Sequence, residues 1–150
     1  MSLPVLVIGR SGSGKTFSLK EFKKGEVSII SVEKGRLPFK SDVQVARIPN
    51  NFDGGEKTSA GAVNAAKYAW ICNAIKTAPT KAVVIDDSQY LLVNELFDRA
   101  KEKSYDKFTD MAVNFRNLIH FINDLAEEDK IVYFLHHSES AGDGREKAKT

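Results

Sequence analysis

Val5-Leu6-Val7-Ile8-Gly9-Arg10-Ser11-Gly12-Ser13-Gly14-Lys15-Thr16-Phe17 stands near the start of the chain. Within it, Gly9 to Thr16 follows the pattern G-x-x-x-x-G-K-[ST]. The glycines of such a loop let the backbone curl until successive N–H groups point into one concavity that suits phosphate. The unbroken apolar run Val5–Ile8 enters the loop as a strand. A helix-compatible stretch, Phe17–Lys24, leaves it and is closed by Gly25, a good residue to follow a helix end. Both flanks are needed, because the helix adds its positive end to the anion site. Gly9, Arg10, Ser11, Gly12, Ser13, Gly14, Lys15, Thr16 and Phe17 are therefore the candidate binding segment for a nucleoside triphosphate. In that arrangement Lys15 reaches the β- and γ-phosphates and the Thr16 hydroxyl ligates Mg²⁺.

Four short, continuous, β-branched runs read as buried parallel strands: Leu3–Ile8, Val27–Val32, Ala82–Ile85 and Ile131–His136. Val43–Ile48 is a weaker, alternating fifth. Helical spacing fills the intervals at Phe17–Lys24, Ala60–Lys76 (capped by Thr58 or Ser59), Gln89–Lys103 and Thr109–Glu127. The second of these carries its apolar stripe on Val63, Ala66, Trp70, Ile71, Ala74 and Ile75. The last carries one on Met111, Phe115, Leu118, Ile119, Ile122 and Leu125. Asn50–Gly55 is a turn-rich loop. Strands alternating with helices predict an α/β fold, a mainly parallel sheet with helices on both faces, in one domain over residues 1–150.

The totals narrow the class further. A chain of 150 residues with 42% hydrophobic and 28% charged residues is an ordinary globular one. A net charge of +2 does not by itself argue for nucleic acid. The single cysteine, Cys72, excludes an internal disulfide and falls on an apolar helix face, where a buried, inert thiol is expected. No basic segment precedes Leu3–Ile8, and that run is too short for a membrane span, so the expected compartment is the cytoplasm.

In parallel α/β sheets ligands bind beyond the carboxyl ends of the strands. Those ends carry Gly9, Glu33, Asp86-Asp87 and His136-His137. Lys81-Ala-Val-Val-Ile-Asp86-Asp87 has the shape of a Walker B segment, an apolar strand delivering a carboxylate to the metal side of the phosphates. Asp86 is the candidate Mg²⁺ carboxylate, acting through a water. Asp87 orients the attacking water, contacts the metal shell or caps the next helix. Glu33 either polarises a water for in-line attack or is a solvated loop residue. Strand alternation sends His136 and His137 opposite ways, so one can face the phosphates as a hydrogen-bond donor while the other packs against a helix. A metal site on the two histidines is disfavoured, because adjacent residues rarely share one ion. His120 reads as structural, and Arg99 and Arg116 as solvated helix residues.

Taken together these motifs resemble the RecA-like ATPase core. In particular the chain is similar to small phage-encoded ATP-binding proteins of the AAA ATPase kind, a reduced RecA/RadA-type single-strand-annealing group. The resemblance rests on Gly9–Thr16, Val32-Glu33-Lys34-Gly35, Val83–Gln89, Phe108–Phe115, Ile131–Ser138 and Arg145–Thr150. It implies a three-layer P-loop NTPase fold, ATP and Mg²⁺ as ligands, and Glu33 as the catalytic base, with His136 or His137 as phosphate sensor. It also implies work in phage DNA replication, recombination or annealing in the host cytoplasm. The partners implied are single-stranded DNA or a single-stranded-DNA-binding protein, with a homo-oligomer left open. Such cores place the phosphate-loop strand between the sensor strand and a fifth strand that follows the sensor. Here that order would leave Leu3–Ile8 at a sheet edge, so the chain is expected to be the N-terminal part of a longer protein, incomplete at its C-terminus.

Three functions remain in view. The first is an ATP hydrolase coupled to DNA, and the second a small-molecule or nucleotide kinase on the same loop. The third is a nucleotide-gated interaction module in which ATP orders loops such as Ser104–Thr109. No N-K-x-D or L-S-G-G-Q motif is present. Tyr105, Lys107 and Phe108 form an aromatic and basic cluster that either stacks bases or staples a helix start.

Overall fold

β-branched runs favour the pleated backbone, and most of those in this chain become strands. The computed structural model describes residues 2–10, 14–33, 43–49, 60–125, 129–140 and 146–148. The strands are β1 (Leu3–Gly9), β2 (Val27–Ser31), β3 (Gln44–Arg47), β4 (Ala82–Asp86), β5 (Ile131–Ser140) and β6 (Glu146–Ala148). Their order is β1-β5-β4-β2-β3, parallel throughout, with β6 antiparallel on the far end of β5. The helices are α1 (Ala60–Thr77), α2 (Gln89–Asp98) and α3 (Asp106–Asp124), and a 3-10 helix covers Phe17–Glu21. This is the expected α/β fold with a mainly parallel sheet.

Alternation along the strands divides the core in two. Ile30, Val83, Ile85, Val132 and Phe134 face α1, α2 and α3, and pack on Tyr68, Ile71, Ile75, Leu91, Leu118 and Ile122. Val27, Ile29, Val84 and Leu135 face the other way, where Leu19 of the 3-10 helix and the neighbouring Phe22 meet them. The central strands β2 and β4 are buried almost end to end, as parallel strands covered on both faces must be.

Several elements depart from the sequence reading. β1 is not fully buried: Leu3 and Leu6 are each 54% exposed and Ile8 42%. Among the described residues it pairs only with β5, so it lies at the edge of the sheet they form, with a strand on one side. Phe17–Lys24 condenses to five residues of 3-10 helix, with the Ser18 hydroxyl bonded to the Lys15 carbonyl in competition with the helical ladder. α2 stops at Asp98 rather than Lys103, and α3 begins three residues before Thr109. β5 runs on past His136 to Ser140, where β6 pairs with it. On α1 the buried positions are Asn64, Tyr68, Ile71 and Ile75, so polar Asn64 displaces Val63 from the inward stripe. Its amide donates to Asp98 Oδ2 at 3.3 Å, which ties α1 to α2. Cys72 is only half-buried, and burial raises its thiol pKa. The expectations on the Thr58 or Ser59 cap and on Asn50–Gly55 lie outside the described residues.

Candidate functional site

Parallel register brings the loaded strand ends to one edge. On β1 and β5, Gly9 is level with His137 and Ile8 with His136; on β2 and β4, Ser31 is level with Asp86. The phosphate-loop threonine meets the Walker B carboxylate directly. Thr16 Oγ1 donates to Asp86 Oδ1 at 2.9 Å, across 70 residues of sequence. Lys15 Nζ folds back on the loop and donates to the carbonyls of Gly9 at 2.7 Å and Arg10 at 2.9 Å. Gly14 has φ +90°, a left-handed conformation that glycine adopts without steric cost. Space is not the reason, since a Cβ there would meet nothing. Ser11, Gly12 and Ser13 lie outside the described residues.

Electrostatics at this edge are those of charges withdrawn from water. Burial lowers the pKa of the Lys15 ammonium, opposed by the negative charges of Asp87 and then Asp86. Burial raises the Asp86 carboxyl above the ordinary aspartate value. The Thr16 hydrogen bond works against that rise, and the charge of Asp87 adds to it. Asp87 itself sits at φ 56°, in the left-handed region that Asp tolerates better than most residues. It is not the side-chain cap of α2. The cap position is Ser88, without a side-chain cap bond, and Asp87 instead presents Oδ1 at 3.5 Å to His137 Nε2.

The two histidines separate as alternation requires. His136 is 2% exposed; its Nδ1 shares a 2.9 Å hydrogen bond with Ser88 Oγ and its ring meets Phe115 edge-on. His137 stands beside Asp87, donates its backbone N–H to Gln89 Oε1 at 3.1 Å, and meets the Tyr90 ring. Lys15, Thr16, Asp86, Asp87 and His137 therefore form one cluster.

Glu33 takes its side-chain partner from outside this cluster. Its Oε1 accepts from Asn94 Nδ2 of α2 at 2.9 Å, and the Ser31 hydroxyl donates to its backbone carbonyl. It lines a cavity of about 200 Å³ with Asn64, Lys67, Tyr68, Tyr90 and Asn94. Arg99 is no solvated residue. It is 8% exposed and joins Glu95 at 3.1 Å, Glu102 at 2.6 Å and Asp110 at 3.0 Å. His120, read as structural, is exposed on α3, as is Arg116. Tyr105 is 85% exposed, while Lys107 Nζ bonds the carbonyls of Arg99 and Glu102.

Asn94, Ser88 and Gln89 were not singled out in the sequence. The available signal was polar residues on the inward side of α2, where Ser88, Gln89 and Glu95 are at most 1% exposed. A buried polar group must find a partner, so each marks a contact to another element.

The Thr16 hydroxyl and Asp86 carboxylate are adjacent hard oxygen donors of the kind Mg²⁺ takes. Among the described residues no three His, Cys, Asp or Glu side chains converge as a metal cage. A small set of protein oxygens suits an ion that completes its shell with phosphate and water. Among the described residues no helix is long and apolar enough to cross a membrane.

None of the curated proteins matches this chain. A family model described as an AAA domain matches residues 2–136, which takes in β1 to β4, all three helices and β5 as far as His136. With its phosphate loop, its apolar strand ending in Asp86 and its parallel sheet, the chain belongs to the AAA domain family, a family of nucleotide-binding P-loop ATPases.

Proposed function

We propose that this protein is a Mg²⁺-dependent ATP hydrolase of RecA-like type that couples turnover to the handling of single-stranded DNA in phage-type replication, recombination or annealing. The observation that carries the hydrolase reading is the 2.9 Å hydrogen bond between Thr16 and Asp86, with Lys15 alongside. The DNA part is supported by the resemblance of the strand-end residues to RecA-like cores.

Each residue has a distinct task. The loop N–H groups and Lys15 bind the triphosphate, and Lys15 exchanges the Gly9 and Arg10 carbonyls for phosphate oxygens. Thr16 and, through a water, Asp86 would hold Mg²⁺, which when bound would offset charge on the phosphates. Glu33 accepts the proton of the attacking water. His137 donates a hydrogen bond toward the γ-phosphate, and Asp87 orients its imidazole. His136 braces the strand end from the α3 side.

Hydrolysis of Mg²⁺–ATP is measured with and without single-stranded DNA for the wild type, Lys15→Ala, Glu33→Gln and Asp87→Asn. DNA is expected to raise the rate, and Lys15→Ala and Glu33→Gln to abolish it. If Glu33→Gln retains its rate while Asp87→Asn is inactive, the base is Asp87 and the RecA-like assignment is wrong. One observation favours a second reading, a small-molecule kinase: the cavity beside Glu33 has room for a compact hydroxyl acceptor. Free phosphate as sole product supports hydrolysis, whereas a labelled acceptor supports the kinase.

A further inference from the structure

We propose that Asn94 is a positioning residue for the Glu33 carboxylate, and that α2 is the arm that holds it in place. The inference rests on reading Glu33 as the base. Glu33 is the second residue after β2, beyond the regular ladder, where a glutamate side chain would ordinarily sample several rotamers. Among the described residues three contacts restrain it. The Ser31 hydroxyl donates to its carbonyl, the N–H of Val32 before it bonds the Asp86 carbonyl at 3.4 Å, and Asn94 Nδ2 donates to Oε1 at 2.9 Å. The first two hold the backbone against β2 and β4. Only the third holds the carboxylate.

The donor is itself fixed. Asn94 precedes Glu95, which is 0% exposed and accepts from Arg99 Nη1 at 3.1 Å and Asn114 Nδ2 at 3.2 Å. Arg99 also reaches Asp110, so one guanidinium and one amide bind α2 to α3. Asn94 therefore stands on an element locked to its neighbour.

Its chemistry suits the task. An amide N–H orients a carboxylate without titrating, so it does not compete for the proton that the base must accept. It occupies one carboxylate oxygen and leaves Oε2 for water. Holding the base in one rotamer raises the fraction of encounters in productive geometry, and its loss lowers kcat without weakening nucleotide binding.

The test is steady-state Mg²⁺–ATP hydrolysis, with single-stranded DNA present, by Asn94→Ala, Asn94→Asp, Glu33→Gln and the double variant Glu33→Gln/Asn94→Ala. Asn94→Asp keeps the side-chain shape, removes the donor and sets a second carboxylate against Oε1, so it displaces Glu33 and serves if Asn94→Ala does not fold. The expected result is a kcat lowered roughly tenfold in either Asn94 variant, with KM for ATP within about twofold of wild type. The double variant is expected to be no slower than Glu33→Gln alone, because a positioning residue has nothing to position once the base is gone. An inactive Glu33→Gln beside an Asn94→Asp that turns over within about twofold of wild type, or faster, overturns the proposal alone. A further loss in the double variant also overturns it. A Glu33→Gln enzyme with wild-type kcat instead removes the reading of Glu33 and this proposal with it.

Discussion

Asp86→Asn separates what the site costs the fold from what it does. Asp86 is 8% exposed, and its carboxylate accepts from Thr16 Oγ1 at 2.9 Å and from the Asp87 backbone, with the Asp87 charge beside it. Withdrawal from water is the main reason its pKa is raised, and the charge of Asp87 adds to it. The amide variant keeps an acceptor oxygen for Thr16 and removes the buried charge. Without ligand, Asp86→Asn is therefore expected to be more stable than wild type by about 1 kcal/mol, the scale of relief typical of a functional-site substitution. For a chain of this length that is a rise of about 2–4 °C in Tm. A carboxyl whose folded pKa is raised binds its proton more tightly in the folded state. Wild type accordingly loses stability as pH climbs from the unfolded to the folded value. The gap between the proteins should be widest above the folded pKa and should close as pH falls to the ordinary aspartate range. Added nucleotide reverses the ranking. At a hundredfold excess over Kd, Mg²⁺–ATP stabilises a competent protein by about 2.7 kcal/mol. The variant should lose the part of that shift which EDTA abolishes in wild type. The assay is thermal melting across pH, without ligand, with ATP and EDTA, and with Mg²⁺–ATP. An Asp86→Asn protein that melts at or below wild type without ligand at neutral pH refutes the desolvation reasoning. A wild-type Mg²⁺-specific shift in the variant refutes the metal assignment.

Three other outcomes are expected. Lys15→Ala removes a charge-assisted contact to phosphate of about 3 kcal/mol, roughly a hundredfold in Kd by calorimetry, and leaves the ligand-free melting temperature within about 2 °C of wild type. Arg99→Ala leaves Glu95 buried without its cationic partner and should cost about 3 kcal/mol in urea unfolding. Asp110→Ala, whose side chain is 58% exposed, should cost less than about 1 kcal/mol in the same experiment. His136→Ala should destabilise by about 2 kcal/mol through lost packing and the loss of its buried hydrogen bond with Ser88, whose hydroxyl keeps the Leu135 carbonyl, while His137→Ala should leave stability within about 1 kcal/mol and lower kcat at least tenfold.

The strand that leads into Gly9, the apolar strand ending in Asp86 and the order of elements were legible because each is local. A strand chosen by its own β-branched residues carries its specification in contiguous positions. The edge exposure of β1 was expected from strand order, yet Leu3, Leu6 and Ile8 taken alone read as core, since composition cannot tell a central strand from a lateral one. The inward face of α1 was misjudged for a related reason. Asn64 is buried because Asp98 is there to receive its amide, and no periodicity records that.

By itself the sequence determined that a G-x-x-x-x-G-K-T segment follows the first strand of a parallel sheet, and which residues end the neighbouring strands. Only the tertiary structure decided how those residues sort: His137 beside Asp87, His136 against Phe115, Glu33 on the amide of Asn94, and Arg99 buried among three carboxylates. The physical reason is that a polar side chain withdrawn from water takes the partner that packing presents, and for Glu33 that partner is 61 residues away along the chain.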